Sequence, residues 1–171
     1  MKNIILSLIL CNGLLLNAQR LEPVEISGTE FVAIPYFDTE KTGDSESGIK
    51  FINTATGEIK QAILPKDNHV ARLEHVKIES LGIDKIVVII QNEGKSVIVK
   101  GTRQSQLSVY SVNGTLEKNI ILDAEVGRDL IVNNVTGRLV LISFKGSKFA
   151  PEHKQEEIIY DLRTNSIIPS K

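Results

Sequence analysis

The strongest constraint on the fold is a hairpin motif that occurs three times along the chain. Two copies, FINTATGEI (51–59) and IYDLRTNSI (159–167), align without a gap as an apolar stretch, a polar turn and a second apolar stretch. The third copy, VYSVNGTLEKNII (109–121), has a tighter turn at Asn113-Gly114. This dipeptide favours a type I′ turn, in which both central residues have positive φ. Repeated units of this kind usually stack on one another to bury a shared core.

An apolar strand precedes each hairpin, and a further short strand precedes that one across a polar turn. The apolar strands are FVAIPYF (31–37), KIVVIIQ (85–91) and RLVLISF (138–144). All these segments are short, rich in β-branched residues and bounded by Gly, Asn, Asp or Ser, and no helical periodicity is sustained. We therefore predict an all-β chain of three repeated four-stranded antiparallel units. The predicted units span about residues 20–65, 71–122 and 128–169.

The strand order within each predicted unit is that of a β-propeller blade, a four-stranded antiparallel sheet that packs face to face on its neighbours. Propellers typically contain four to eight blades, so three units cannot readily close a ring. A β-sandwich or barrel is the alternative fold. The apolar runs VVII (87–90) and LVLI (139–142) are predicted as core strands in either case. An exposed edge on either strand would invite pairing with another chain, which leaves a homodimer open.

Residues 1–18 have the layout of a secretory signal peptide. Lys2 supplies the positive charge, and residues 4–16 form an apolar stretch that is too short to span a bilayer. Ala18 offers a small residue at the cleavage point before Gln19. The chain is therefore predicted to be exported, to the periplasm or beyond, with residues 19–171 forming a single all-β domain and no membrane span.

Cysteine usage and charge narrow the function classes. Cys11 follows Leu10, where a lipoprotein signal requires a small residue, so a lipid anchor is not expected. Cys11 is also the only Cys, so cleavage of the leader leaves no disulfide. The remaining 153 residues carry 19 Lys and Arg against 21 Asp and Glu, and this near-neutral balance argues against a nucleic-acid partner.

If the units are blades, the short turns lie at one end of the strands and the long connections lie at the other. The long connections are predicted at DTEKTGDSESG (38–48), PKDNHVARLE (65–74), NEGKSVIVKGTRQSQ (92–106) and KGSKFAPEHKQE (145–156). Long loops on a rigid scaffold are a usual place for binding, although solvated loops without a ligand are the simpler alternative. The candidate binding residues are His69, Arg103, Lys145, Gly146, Ser147, Lys148 and His153.

The first long connection is the best metal candidate, for calcium. Its oxygen-bearing residues at alternate positions are Asp38, Glu40, Thr42, Asp44 and Glu46. Gly43 stands at the sixth position, as in a calcium loop of EF-hand type, but Ile49 occupies the twelfth position in place of the bidentate Glu. A solvated acidic loop is therefore favoured over a calcium site, and no cofactor is expected.

Other catalytic and metal patterns are weak. His69, Glu74 and His75 lie close in sequence and His153 lies in another connection, but zinc requires three or four ligands in fixed geometry. No Gly-x-Ser-x-Gly motif is present, and no serine is tied to a histidine. We therefore expect a binding protein and not an enzyme.

One stretch carries a family resemblance. GRLVLISFKGS (137–147) followed by IIYDL (158–162) resembles small periplasmic immunity proteins that block peptidoglycan-amidase effectors of type VI secretion. The resemblance implies propeller-like sheets, a cell-wall hydrolase as protein partner, and a loop holding Gly146 and Ser147 that plugs the active-site cleft of that enzyme. The disulfide-bearing cysteines of such proteins are missing here. A carbohydrate- or calcium-binding module of the envelope is the alternative function.

Overall fold

The chain folds almost entirely as β-strand, as predicted. The computed structural model describes residues 22–39, 45–92, 104–122, 124–145 and 154–169. A short 3-10 turn, Glu79–Leu81, joins two of the strands. The strands are β1 (Val24–Glu25), β2 (Phe31–Thr39), β3 (Ser45–Asn53), β4 (Ile59–Ile63), β5 (Asn68–Ile78), β6 (Ile83–Asn92), β7 (Ser105–Ser111), β8 (Leu116–Leu122), β9 (Glu125–Asn133), β10 (Arg138–Lys145), β11 (Lys154–Asp161) and β12 (Ser166–Ile168).

Each run of four consecutive strands forms one antiparallel sheet, with the strands side by side in chain order. Sheet I contains β1–β4, sheet II contains β5–β8 and sheet III contains β9–β12. The three predicted repeat units are therefore confirmed. The predicted leader, residues 1–18, lies outside the described residues.

The connection predicted at residues 65–74 is wrong, because most of this segment is strand β5, which begins at Asn68. A bulge between Val70 and Arg72 interrupts the alternation of apolar and polar residues that marks a strand. Arg72 and Glu74 add to the loop-like appearance, although they lie in an edge strand and form an ion pair with each other at 2.9 Å.

The backbone confirms the alignment of segment 51–59 with segment 159–167. Gly57 and Asn165, which are matched in that alignment, both have positive φ, at 76° and 51°. Asn53 and Asp161 are also matched, and each uses a side-chain oxygen to accept a hydrogen bond from the backbone N–H two residues further along. The two turns therefore share both the side chain that caps the turn and the residue that reverses the chain.

The type I′ turn predicted at Asn113-Gly114 is wrong. Gly114 has a φ of 80°, but Asn113 is not among the described non-glycine residues with positive φ. The Gly114 N–H donates to the Ser111 carbonyl at 3.0 Å, and the register of β7 with β8 shifts beside the turn, so the glycine forms a bulge. The Asn113 side-chain oxygen accepts the Thr115 N–H at 3.2 Å, and this local hydrogen bond stabilises the alternative geometry.

Sheet II is the middle layer of a three-layer stack. In β6, Ile86 and Val88 pack toward sheet I, whereas Val87 and Ile89 pack toward sheet III, and all four are fully buried. Neither buried core contains residues of both sheet I and sheet III. A single sandwich or barrel, the alternative prediction, is therefore not observed. The run 87–90 is also no edge, since β6 lies between β5 and β7.

The three sheets have the same orientation in the stack, so the contact between sheets I and II uses the same two faces as the contact between sheets II and III. The pairs Phe31–Asn53, Lys85–Ser111 and Arg138–Asp161 begin the matching hairpins and set the equivalent positions. Two residues further along each second strand lie Ala33 in sheet I, Val87 in sheet II and Val140 in sheet III. We call the face that holds these side chains the front face. We call the opposite face the back face; it contains Val32, Ile86 and Leu139. The front of sheet I packs on the back of sheet II, and the front of sheet II packs on the back of sheet III.

Candidate functional site

The long connections lie at one end of the stack, and the short turns lie at the other end, as predicted. At the short-turn end, Gly114 of sheet II lies against Phe51 of sheet I. At the opposite end, the Ser47 hydroxyl of sheet I donates to the Asn68 carbonyl, and the Gln91 amide donates to the Val126 carbonyl of sheet III at 2.8 Å. The three sheets therefore present their β2–β3, β6–β7 and β10–β11 connections on a common end, which we call the long-connection end.

Most of the candidate binding residues lie outside the described part of the chain. These are Arg103, Gly146, Ser147, Lys148 and His153. Lys145 is the last residue of β10, where its backbone pairs with Lys154 of β11. The fourth connection is therefore shorter than predicted, because strand pairing continues to Lys145 and resumes at Lys154.

The histidines near one another in sequence do not converge. His69 pairs with Gln91 and so lies on the front of sheet II, while His75 pairs with Ile86 and lies on the back. The nearly buried His75 ring instead contacts the Asp84 carboxylate, with Nε2 and Oδ1 2.7 Å apart. Among the residues that the structure describes, no cluster of three or more His, Cys, Asp or Glu could hold a metal.

The calcium candidate departs from an EF-hand loop. Asp38 and Glu46 are paired strand residues of β2 and β3, and the strand positions continue through Ile49. The Glu46 carboxylate accepts hydrogen bonds from the Tyr36 hydroxyl at 2.9 Å and from the Gln61 amide at 3.1 Å. The remaining members, Glu40, Thr42 and Asp44, lie outside the described residues.

A pocket of about 170 Å³ opens at the long-connection end of sheet II. Four strands or their ends contribute to it, and the cross-strand pairs Ile90–Gln106 and Gln106–Ile121 form its floor. Its lining residues are Asn68, Ile90, Asn92, Gln104, Ser105, Gln106 and Ile121.

Hydrogen bonds hold the polar lining in place. The Asn68 amide donates to the carbonyls of Pro65 and Lys66, both at 3.2 Å, and so shapes the turn that leads into β5. The Gln106 amide nitrogen donates to the Ser108 hydroxyl at 3.2 Å. In the described part of the chain, the side-chain carbonyls of Asn68 and Gln106 accept no hydrogen bond, so both can receive one from a ligand.

The pocket therefore offers neutral hydrogen-bonding groups above an apolar floor. No titratable side chain is present among its described lining residues. Ile121 is 66% exposed there, and Phe37 is 61% exposed at the same end of sheet I. Such a surface can bind a polar, uncharged segment with apolar side chains, but its described residues supply neither a general acid nor a base.

The sequence indicated part of this site. Asn68 and the segment Gln104–Gln106 lie within the predicted long connections, so their end of the molecule was predictable. Ile121 lies on the last strand of the middle hairpin, which resembled scaffold. Only the pairing of Gln106 with both Ile90 and Ile121 brings it into the site, and that pairing is set by the tertiary fold.

The groups with the most perturbed pKa values lie at the short-turn end, in the third hairpin. Arg163 donates to both carboxylate oxygens of Asp161, at 3.2 and 2.9 Å, and these hydrogen bonds lower the Asp161 pKa to about 2. Burial raises the pKa of the neighbouring Tyr160 to about 12. Both residues belong to the turn and the core beneath it, so these pKa shifts arise from an ion pair of the turn and from burial in the core and do not mark a reactive site.

No family model matches the chain, and no curated protein or solved structure is significantly similar to it. Within the described ranges, no helix has the length and apolar character needed to cross a bilayer. Function is therefore inferred from the surfaces of this chain itself.

Proposed function

We propose that this protein is an exported, non-enzymatic binding protein that holds a protein partner at the long-connection end of sheet II. The observation that carries the proposal is the pocket in which the amides of Asn68 and Gln106 stand beside Ile90 and Ile121. Neutral amides can pair with the backbone of a partner segment, while the apolar floor receives a side chain.

Exposed apolar side chains favour a protein over a sugar. Phe37 and Ile121 both remain largely exposed at this end, and large apolar residues ringed by polar groups are typical of protein-binding surfaces. The described pocket lining contains no aromatic ring on which a sugar could stack. A carbohydrate-binding module of the envelope is thus the second candidate, with the polar amides as its supporting feature.

The partner class follows from the resemblance to periplasmic immunity proteins. A protein exported by the leader at residues 1–18 would meet cell-wall hydrolases in the envelope. Under this proposal the connection that contains Gly146 and Ser147 enters the cleft of a peptidoglycan amidase, and the pocket binds an adjacent segment of the same enzyme.

The test measures binding of the mature protein to a purified peptidoglycan amidase encoded next to its gene, by biolayer interferometry. Exchanging Ile121 for Ser should weaken binding about tenfold, because removing a well-placed apolar contact costs an interface roughly 1–2 kcal/mol of binding free energy. Exchanging residues 145–148 for Ala should abolish binding without changing the melting temperature. Val135→Ser is the matched control, because Val135 is 84% exposed in a turn at the opposite end.

Three results decide between the candidates. Equal amidase affinity for the parent, Ile121→Ser and Val135→Ser would place the contact elsewhere and refute the pocket. Undiminished binding after the exchange of residues 145–148 would refute the role of that connection. Binding of neutral peptidoglycan oligosaccharides in place of the amidase, with Ile121→Ser affecting that binding, would support the carbohydrate candidate.

A further inference from the structure

Two faces of the stack lack the neighbour that equivalent faces have. On the back of sheet II, Ile86, Val88 and Tyr110 are buried against sheet I. The equivalent positions on the back of sheet I are Val32, Ile34 and Ile52, which are only half-buried because none of the described sheets covers them. These side chains are as apolar as those that form the internal interface.

Sheet III, the other outer layer of the stack, has the complementary open face. On the front of sheet II, Val87, Ile89 and Val109 are fully buried against sheet III. The equivalent residues on the front of sheet III are Val140, Ile142 and Ile159, and these are half-buried. Sheet III thus ends in a front face, and sheet I begins with a back face.

We infer that a second copy of this chain covers both faces, with the front of sheet III in each copy packed on the back of sheet I in the other. The molecule already forms a front-to-back contact twice, between sheets I and II and between sheets II and III. A head-to-tail contact of this kind closes into a ring when the rotation between successive sheets permits it. Two copies would supply six sheets, which lies within the range of closed propellers.

One pair of charged residues distinguishes this pairing from the two self-pairings. Lys50 lies on the back of sheet I, opposite Ile34, and Glu157 lies on the front of sheet III, opposite Ile142. Both residues lie in the third strand of their sheets, and their equivalent positions in sheet II are one residue apart. The packed interfaces have Ser108 and Leu107 of sheet II at these positions. At these two positions, two backs would bring lysines together and two fronts would bring glutamates together, whereas a front on a back pairs opposite charges. Glu25 and Glu46 also lie on the back of sheet I, and Arg138 also lies on the front of sheet III, so this one pair, and not the net charge of the faces, distinguishes the pairings.

The outermost strand does not contribute to the inference. Ile63 on the back of sheet I is 61% exposed, but its equivalent on the back of sheet II, Ile121, is 66% exposed even though sheet I packs on that face. This position of the fourth strand therefore stays at the rim of an interface. The new contact is confined to the first three strands, and it leaves the long-connection end free.

The test measures the molar mass of the mature protein by size-exclusion chromatography with light scattering. We expect twice the monomer mass at micromolar concentration. Ile34→Arg and Val140→Arg should each give a monomer, because each places a charge in the apolar contact. Val135→Arg adds the same charge in an exposed turn and should remain dimeric. Circular dichroism and a melting curve establish that each variant is folded.

A charge exchange then tests which faces meet. Lys50→Glu and Glu157→Lys should each weaken the dimer about tenfold, and the double variant should recover most of the parent's dissociation constant. A monomeric parent would refute the inference and leave the two faces to a partner of another sequence or to a segment of the chain outside the described residues. An open series of larger species would refute the closed ring, and equal losses without recovery in the double variant would refute the front-to-back pairing.

Discussion

Sheets II and III contain the same residues at equivalent positions of their second strands, but in different surroundings. Ile89 of sheet II corresponds to Ile142 of sheet III, and Val87 corresponds to Val140. The sheet II residues are fully buried because sheet III covers their face, whereas the sheet III residues are half-buried at the end of the stack. The comparison shows that sheets II and III carry the same apolar front face, although none of the described sheets covers that face in sheet III.

The largest expected effect is on the stability of the fold, and it differs between these equivalent residues. Ile89→Ala should lower the free energy of unfolding by about 3 kcal/mol, because it leaves a cavity between two sheets. The equivalent Ile142→Ala should cost about 1 kcal/mol, since its site is open to water in the monomer. Urea unfolding at a concentration where the chain is monomeric measures both values. Equal costs would contradict the three-layer stack.

The stability costs of the same two variants should depend differently on protein concentration. If a second copy covers the front of sheet III, the cost of Ile142→Ala should rise with protein concentration, since the dimer then buries this residue. The cost of Ile89→Ala should not change, because its neighbours lie within one chain. This difference separates the intramolecular core from the proposed contact between copies.

A smaller effect compares the turns of sheets I and II. Gly57 and Gly114 both have positive φ, at 76° and 80°, but a Cβ on Gly57 meets nothing within 4 Å, whereas a Cβ on Gly114 would lie 2.6 Å from Phe51. Gly57→Ala should cost about 1 kcal/mol for the backbone conformation alone. Gly114→Ala should cost about 2–3 kcal/mol, because it also displaces an aromatic ring of the core.

Thermal unfolding of the two glycine variants provides the measurement. Phe51 lies 5.3 Å from Tyr110, centroid to centroid, so a displaced ring should also change the near-ultraviolet circular dichroism of Gly114→Ala. Gly57→Ala should leave that spectrum unchanged. Identical melting temperatures for the two variants would show that sheet II's turn is not packed on sheet I.

Local sequence accounted for the strands and for most of the turns, because alternation and Asn, Asp and Gly positions act over a few residues. The apolar runs 87–90 and 139–142 were both predicted as core strands. Residues 87–90 are buried on both faces of β6, whereas in β10 only Leu139 and Leu141 are fully buried. Burial on the second face depends on which sheet is last in the stack, and short-range patterns do not contain that information.

The pocket and the start of β5 were harder to predict for related reasons. The bulge between Val70 and Arg72 removes the alternation that would have marked a strand. Gln106 and Ile121 become part of a site only through long-range pairing of β6, β7 and β8. Sequence therefore predicted the end of the molecule at which the pocket lies, but not which side chains line it.

The last expected effect concerns the charge that distinguishes the third hairpin from the other two. Asp161 occupies the position held by the neutral Asn53 and Ser111, and its carboxylate is buried beneath Arg163 and Arg138. Because folding lowers its pKa from 3.8 to about 2, the ionised form stabilises the native state above pH 4, and this contribution is lost as the pH falls through 2.

Asp161→Asn keeps an oxygen that can accept the Arg163 N–H but removes the charge, so it should cost roughly 1–2 kcal/mol at pH 7 and much less at pH 2. Urea unfolding of both proteins across this pH range measures the difference, with Asn53→Ser as a control whose cost should not vary with pH. A constant difference between Asp161→Asn and the parent would mean that the turn depends on hydrogen-bond geometry alone, as its two equivalents do.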